Sequence, residues 1–435
     1  MGAEATRLPL RSGTTRGRGF RAVVGSAARR LDASEPSHSG RVSAPALRSA
    51  NRRCLTVSPE RWSLSPTQLD DGATLNVGGN LAIRYLGSKG RVAAEILDLI
   101  GCPIRGGVFV DLFAGTGSVS RVAASRGWEV RANDILPSAA ILTRAQLTTS
   151  DEARFDVFGG YAAAISALNS APPRTGFFAR EYSPLSATEA TNLRRYFTVS
   201  NARQIDGMRH IVSEWAAHGL LKESEFALLL ADLIEATNAV ANTAGTYGCF
   251  LRGMDPRAEN AVKVIPRTLL VRRSKIEVRT GDAGSVPSAP GDVVYLDPPY
   301  TKRQYAAYYH ILETLVAGDE PLVTGVTGLR PWKDRASDFC YKTRALGALS
   351  GLVNKIKAAR ILISYSEDGH ISIGDMEAAM RAFGTVHIHS LGPVPRYISN
   401  VMSAASHPTV REVLVEVVRP SHSKATQSTV ASCQG

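Results

Sequence analysis

Long apolar runs are missing from this chain. No stretch of about 18 consecutive apolar residues occurs, so nothing in the sequence is suited to cross a bilayer as a helix. Cysteine is scarce and scattered: Cys54, Cys102, Cys249, Cys340 and Cys433 form no CxxC pair and no cluster with histidine. That spacing speaks against a zinc site or a disulfide framework and fits reduced thiols in a cytosolic protein. Acidic residues are thin at one end only. Residues 1–61 carry 12 arginines, no lysine and 4 acids, an excess of eight positive charges, whereas the other 39 basic and 35 acidic side chains leave four. Most of the net +12 therefore lies in the N-terminal segment, and charge alone argues only weakly for a nucleic-acid partner of the rest.

What is present suits a globular protein. Apolar residues make up 44% of the 435 positions, enough for a core, and at about 150 residues per domain the length allows two or three domains. Residues 1–76 are rich in Arg, Ser, Ala, Gly and Pro with little periodicity, and are expected to be a disordered tail. The segment has the Arg- and Ser-rich, acid-poor look of a transit peptide, but no clear amphipathic helix forms and Asp32 and Glu35 interrupt it. A solvated tail, or upstream codons read from a misplaced start, is the plainer reading. Residues 421–435 read as a second polar tail.

Between the tails the pattern is periodic. "RVAAEILDLIG" places apolar residues at helical spacing and stops at Gly101. "GVFVDLF" is a short buried strand, "AGTGS" a glycine turn, "SVSRVAASRG" a helix and "WEVRANDI" a second strand. This β–loop–α–β unit opens a doubly wound α/β sheet. Strand signals fade over 151–265, where "ESEFALLLADLIEATNAVAN" and its neighbours predict a mainly helical insertion. They resume in "KIEVRTGD", "DVVYLDPPY" and "ARILISYSE", and end in a hairpin-like pair, "TVHIHSLGPVP" and "EVLVEVV". One sheet, residues 77–150 and 266–420, is thus predicted from both sides of the insertion.

Three stretches carry chemistry. In "VFVDLFAGTGSVS" a strand ends at Asp111 and Phe113 and turns through Gly115 and Gly117 into a helix, so backbone can approach a ligand closely and N–H groups can face an anion. A tight strand-to-helix turn is the alternative. Asp134, ending the next strand, can accept hydrogen bonds from two ribose hydroxyls, or can cap the helix that comes after it. In "DPPY" two prolines fix φ and remove two N–H donors, leaving Asp297 and the Pro298 carbonyl as rigid acceptors before Tyr300. An exocyclic amine on a planar ring, with two donors and a face for stacking, matches that turn.

These motifs, in this order, resemble the D12 class of DNA N6-adenine methyltransferases, the group that includes the Dam methylase. "RYLGSK", residues 84–89, is similar to the family's N-terminal aromatic-x-x-x-Lys motif; "DLFAGTGSVS", "NDI" and "DPPY" are similar to its glycine loop, ribose acid and catalytic turn. The likeness spans roughly residues 80–420. The loop has Gly-x-Gly rather than the longer dinucleotide fingerprint, which argues against NAD. The resemblance implies a Rossmann-like methyltransferase sheet that uses S-adenosylmethionine, with the 151–265 segment as target-recognition insertion. It implies that Tyr85, Lys89, Asp111, Phe113, Gly115, Gly117, Asp134 and, least firmly, Asp282 surround the cofactor. It implies that Asp297, Pro298, Pro299 and Tyr300 hold an adenine flipped out of duplex DNA. A monomer in the bacterial cytoplasm is expected, with double-stranded DNA as partner; whether a cognate restriction endonuclease accompanies it is left open.

Two basic stretches are candidates for DNA contact. "TKRQYAAYYHILETL" crowds Lys302, Arg303, Gln304, Tyr305, Tyr308, Tyr309 and His310 together, suited to phosphates and to the gap left by a flipped base. "TYGCFLRGMDPRAENAVKVIPR" offers Arg252, Arg257, Lys263 and Arg267. A surface helix and a solvated loop are the alternatives, and His310 is equally suited to a core. An RNA or N4-cytosine methyltransferase, and a DNA-binding homologue without catalysis, remain rival functions. No zinc, NAD or cysteine nucleophile is expected.

Overall fold

A computed structural model describes residues 89–103, 106–188, 193–271, 275–395 and 409–420. The two predicted tails and Tyr85 lie outside the described residues. Helix α1 (Ala93–Ile100) buries Ala93, Ile96, Leu97 and Ile100 and ends at Gly101, whose φ of 85° suits glycine. It leads to β1 (Val108–Asp111), α2 (Ser118–Ser125), β2 (Glu129–Asp134) and α3 (Pro137–Leu147), which has proline at its first turn.

The chain then leaves the sheet. Helices α4 (Tyr161–Asn169), α5 (Phe177–Tyr182), α6 (Val199–Ala217), α7 (Glu223–Ala239) and α8 (Pro256–Glu259) precede β3 (Ile276–Thr280). Departure and return meet at one point, where Thr149 bridges Leu270 and the Leu270 N–H donates to the Thr148 carbonyl at 3.1 Å. The helical segment is therefore an excursion within a single β–α–β crossover, which is why it can be long without disturbing strand order.

After β4 (Val293–Leu296) come the short helix α9 (Tyr305–Tyr308), α10 (His310–Ala317) and α11 (Lys342–Lys355). Next are β5 (Arg360–Ser366), α12 (Ile373–Met380), β6 (Thr385–Pro395) and β7 (Thr409–Val418). The seven strands lie in the order β3-β2-β1-β4-β5-β7-β6. The first five are parallel, and β7 runs antiparallel between β5 and β6. This is the Rossmann-like α/β sheet that the motif order predicts. Central strands are covered on both faces, so they read as unbroken apolar runs; β4, "VVYL", is buried throughout. One face packs α1 and α2 on Phe109, Trp128 and Tyr295; the other packs α11 and α12 on Val110, Val294 and Ile363.

Strand order reverses between β1 and β4. At such a switch point the crossovers leave on opposite faces, so a crevice opens beyond the carboxyl ends of the two strands. The residues there are Asp111, at the end of β1, and Asp297, just past the end of β4.

The insertion shares a core with α3 and α10. Its α5–α7 residues Phe178, Tyr196, Leu229 and Leu233 cluster with Leu142 of α3, Tyr309, and Ile311 and Leu312 of α10. At its exit sits Arg267, expected from sequence at the DNA-contacting surface. It is instead buried, with Nε donating to Asp232 Oδ1 at 2.7 Å and Nη2 3.1 Å from Glu235 Oε1, both on α7. Tyr161 donates its hydroxyl to the other Asp232 oxygen and accepts from the Arg267 N–H. A guanidinium with this many acceptors in the interior is a clasp, not a phosphate contact. Asp232→Ala, which strands that charge, is expected to lower stability by about 3–5 kcal/mol, checked by urea unfolding monitored by tryptophan fluorescence.

Candidate active site

The crevice is a cavity of about 430 Å³, within the range of small-molecule sites. Its floor is the end of β1. Asp111 is buried; its Oδ2 accepts from Ser120 Oγ at 2.7 Å, while Oδ1 has no well-formed hydrogen bond among the described residues. Burial pushes this carboxyl up to about 7; the Ser120 bond and the Phe113 N–H oppose the rise, and the nearby Asp297 and Asp134 charges add to it. An orphaned acceptor at this depth is costly unless something donates to it.

The glycine loop wraps one side. The Gly115 N–H donates to Asp134 Oδ2 at 2.9 Å and the Leu136 N–H to Asp134 Oδ1 at 2.9 Å. Asp134 thus ties the loop to the start of α3 while still facing the cavity; burial raises it to about 6 against those two donors. Gly117 does not line the cavity. It has φ of 79°, and a Cβ there would lie 2.8 Å from the Thr143 backbone, so glycine is required for the loop to lie against α3. Phe113 lines the cavity and meets Phe339 edge-on at 5.3 Å. Asp282, just past β3, accepts from the Gly284 N–H at 2.9 Å and forms the far end.

Asn133 opens the "NDI" motif, although the sequence assigns it no role of its own; its amide donates to the carbonyls of Leu112 and Gly281, joining the ends of three strands. Its place beside Asp134 in "NDI" at the end of β2 is the signal that marks it.

The opposite wall is the "DPPY" turn. Asp297, Pro298, Pro299 and Tyr300 all face the same cavity as the glycine loop. Lys89 reaches in from before α1. Its Nζ lies 3.3 Å from Asp297 Oδ1, 5.2 Å from the Tyr300 ring centroid, and donates to Glu412 Oε2 at 2.9 Å. Burial disfavours the ammonium, but Asp297, Tyr300 and Glu412 outweigh it and hold Lys89 well above the usual lysine range. Burial likewise raises Asp297 to about 7, with Lys89 opposing. Tyr300, raised to about 12 mainly by burial, stays a neutral phenol and packs edge-on against Tyr365 at 5.6 Å.

Another part of the wall comes from the start of α9 and the segment after α10. Gln304 binds Ser337 at two points, accepting from its N–H at 2.8 Å and donating to its carbonyl at 3.0 Å. Arg335, also on the cavity wall, donates to buried Glu313 at 3.1 Å, and Glu313 in turn accepts from the Ser138 N–H at the start of α3. The segment after α10 is thereby tied to the stretch that follows the "DPPY" turn and to α3.

The second group of predicted residues divides. Arg252 and Lys302 are exposed and Arg303 is half-buried. Arg257 pairs with Asp255 at 3.1 Å. Tyr305 lines the cavity wall rather than an outer surface. Tyr309 and His310 are core: His310 Nε2 contacts the Tyr247 carbonyl at 3.2 Å, and burial lowers its pKa to about 4, so the ring is neutral. The aromatic crowding after the turn serves mainly to anchor α10 to the insertion.

Against known proteins, residues 85–378 match the D12 class N6 adenine-specific DNA methyltransferase family. The type II methyltransferase M.FokI of Planomicrobium okeanokoites is 33% identical over 323 residues, covering 72% of this chain and 49% of that protein. The modification methylase StsI of Streptococcus sanguinis is 30% identical over 350 residues, covering 79% and 52%. This chain thus spans about half the length of those two relatives. The type II methyltransferase M.NlaIII of Neisseria lactamica is 31% identical over 313 residues, covering 69% of this chain and 89% of that protein. With one cavity shared by the glycine loop and the "DPPY" turn, and with these matches, the chain belongs to the D12 class N6 adenine-specific DNA methyltransferase family.

Proposed function

We propose that this chain transfers a methyl group from S-adenosylmethionine to N6 of an adenine flipped out of duplex DNA. The observation that carries the reading is one shared cavity, lined both by buried Asp111, whose Oδ1 has no well-formed hydrogen bond among the described residues, and by the Asp297–Tyr300 turn.

The residues fit the cofactor. Asp111 Oδ1 would accept from the methionine ammonium with Phe113 beside that part, Asp134 would receive the ribose hydroxyls on its remaining lone pairs, and Asp282 would lie beside the adenine end. S-adenosylmethionine supplies an electrophilic methyl group on a sulfonium. The work of this chain is on the acceptor. The lone pair of an aryl amine is delocalised into its ring, so N6 is a poor nucleophile. Asp297 and the Pro298 carbonyl would accept its two N–H bonds and favour a pyramidal nitrogen, with Tyr300 stacked on the base. As the N–C bond forms, one N–H proton must leave, and a carboxylate near pH 7 is suited to take it. The reach of this turn requires the base to leave the duplex.

We further propose that the helical segment 151–265 reads the target site and that exposed Arg252 and Lys302 contact phosphates. Arg252→Ala is then expected to weaken DNA binding and to reduce the slope of log Kd against log salt by about one, checked by fluorescence anisotropy across a salt series. The relatives' names carry the proposal that the methylation protects DNA from a cognate restriction endonuclease, with the enzyme acting beside bacterial DNA. Incubating the protein with labelled cofactor and duplex DNA, then analysing nucleosides by mass spectrometry, tests the whole reading. N6-methyladenine is expected; methylated cytosine, or label in RNA alone, would overturn it.

A further inference from the structure

Glu412 is a carboxylate that no motif announces. It sits on β7, buried at 2% exposure, 323 positions from the lysine it binds. Lys89 is equally enclosed, and the two carboxylates around it are not equivalent. Glu412 Oε2 takes a hydrogen bond at 2.9 Å. Asp297 Oδ1 lies 3.3 Å from the same nitrogen, a longer and less well-aligned contact. The ammonium thus makes its shorter, better-aligned hydrogen bond to Glu412 and only a longer contact with Asp297.

From this division we infer that Glu412 is a positioning residue for the acceptor site: by holding the Lys89 ammonium to itself, it keeps the Asp297 carboxylate open to the N–H of the substrate amine. The inference rests on the reading that Asp297 receives an exocyclic amine. Its physical basis is that a buried ammonium must be hydrogen-bonded. Without Glu412, Asp297 is the remaining carboxylate beside Lys89 among the described residues, and the lysine would close on the oxygen that the substrate needs. A trio of two carboxylates and one ammonium also keeps net negative charge at the place where a positive charge develops on the amine nitrogen.

Asp297 is faced by Lys89 from the segment before α1, Asp111 from β1, Tyr295 from β4, Glu412 from β7, and Tyr300 and Tyr305 from the turn and α9. Of the anions in that set, Glu412 holds the lysine directly. Removing its charge lowers the proton affinity of Asp297, so the acid limb of activity moves to lower pH even as the rate falls.

The test is single-turnover methyl transfer from pH 5.5 to 9, with saturating cofactor and duplex DNA, for wild type, Glu412→Gln, Glu412→Asp and the double variant Lys89→Met/Glu412→Gln. Cofactor Kd by calorimetry and thermal melts accompany each protein. For Glu412→Gln we expect a plateau rate at least tenfold lower, an unchanged cofactor Kd and an acid limb shifted to lower pH. Glu412→Asp should recover part of the rate. The double variant should be faster than Glu412→Gln alone, because the ammonium that closes on Asp297 is gone. A wild-type rate for Glu412→Gln, a slower rate with an unmoved acid limb, or a double variant slower than the single would each overturn the inference while leaving the proposed activity intact. A wild-type protein that methylates no exocyclic amine would remove the activity and the inference together.

Discussion

Asp297→Asn should lower the rate of methyl transfer by about 10²–10³-fold while leaving the fold and cofactor binding near wild type. The side chain keeps its size but exchanges one acceptor oxygen for a donor NH₂ group. An amine with two N–H bonds then meets a donor where it needs an acceptor, and the site loses its proton acceptor as well. Asp297 lies past the end of β4 at the cavity edge, so the substitution leaves no hole in the core. Lys89 keeps its hydrogen bond to Glu412, so the buried ammonium is not stranded. Single-turnover kinetics with saturating cofactor and DNA would separate a chemical defect from a binding defect. A rate within a few-fold of wild type would mean that Asp297 is not the acceptor.

The parts of this site that are legible in the sequence are those whose function depends on local backbone. Asp297 to Tyr300 are rigid because of two adjacent prolines, and Gly117 is obligatory because its φ is positive and α3 lies against it. The prolines and the turn at Gly117 are local, so the string itself displays them, although the approach of Thr143 that makes glycine obligatory is not local. Strand β4 is likewise read from its apolar run. What escapes is whatever depends on distant strands meeting. Glu412 looks like an outward residue of an alternating strand, yet β7 inserts between β5 and β6 and its side chain lands beside a lysine from before α1. Arg267 reads as a loop cation because its neighbours are polar, while its partners wait on α7. There the signal lies at the other end: Asp232 and Glu235 interrupt the otherwise apolar "ALLLADLIEA", and carboxylates inside a buried helix call for a cation. Tyr309 reads as a DNA-facing residue because Lys302 and Arg303 stand close by in the chain, and His310 reads equally as surface or core; helical spacing turns both inward.

The second large effect concerns the donor side. Asp111→Asn should weaken cofactor binding by about 10–100-fold, because a charge-assisted hydrogen bond to an ammonium is worth roughly 1.5–3 kcal/mol. The amide can keep the bond from Ser120, so the loop is held, but the partner it presents to the cofactor loses its charge. The same carboxyl makes binding pH-dependent. Its pKa in the free protein is about 7, raised by burial, and an ammonium binds only the ionised form. Affinity should therefore be full above that pKa and fall as pH drops through it, tending toward tenfold per unit below. The protonated acid binds the cation weakly, and the cation in turn lowers the pKa of the complex. In Asp111→Asn that dependence should flatten between pH 5.5 and 8 as the overall affinity drops. Calorimetric titration with S-adenosylmethionine at several pH values reads both effects at once. A variant that binds tightly, or that keeps the wild-type pH slope, would place the ammonium elsewhere in the cavity and leave Oδ1 of Asp111 without an assigned donor.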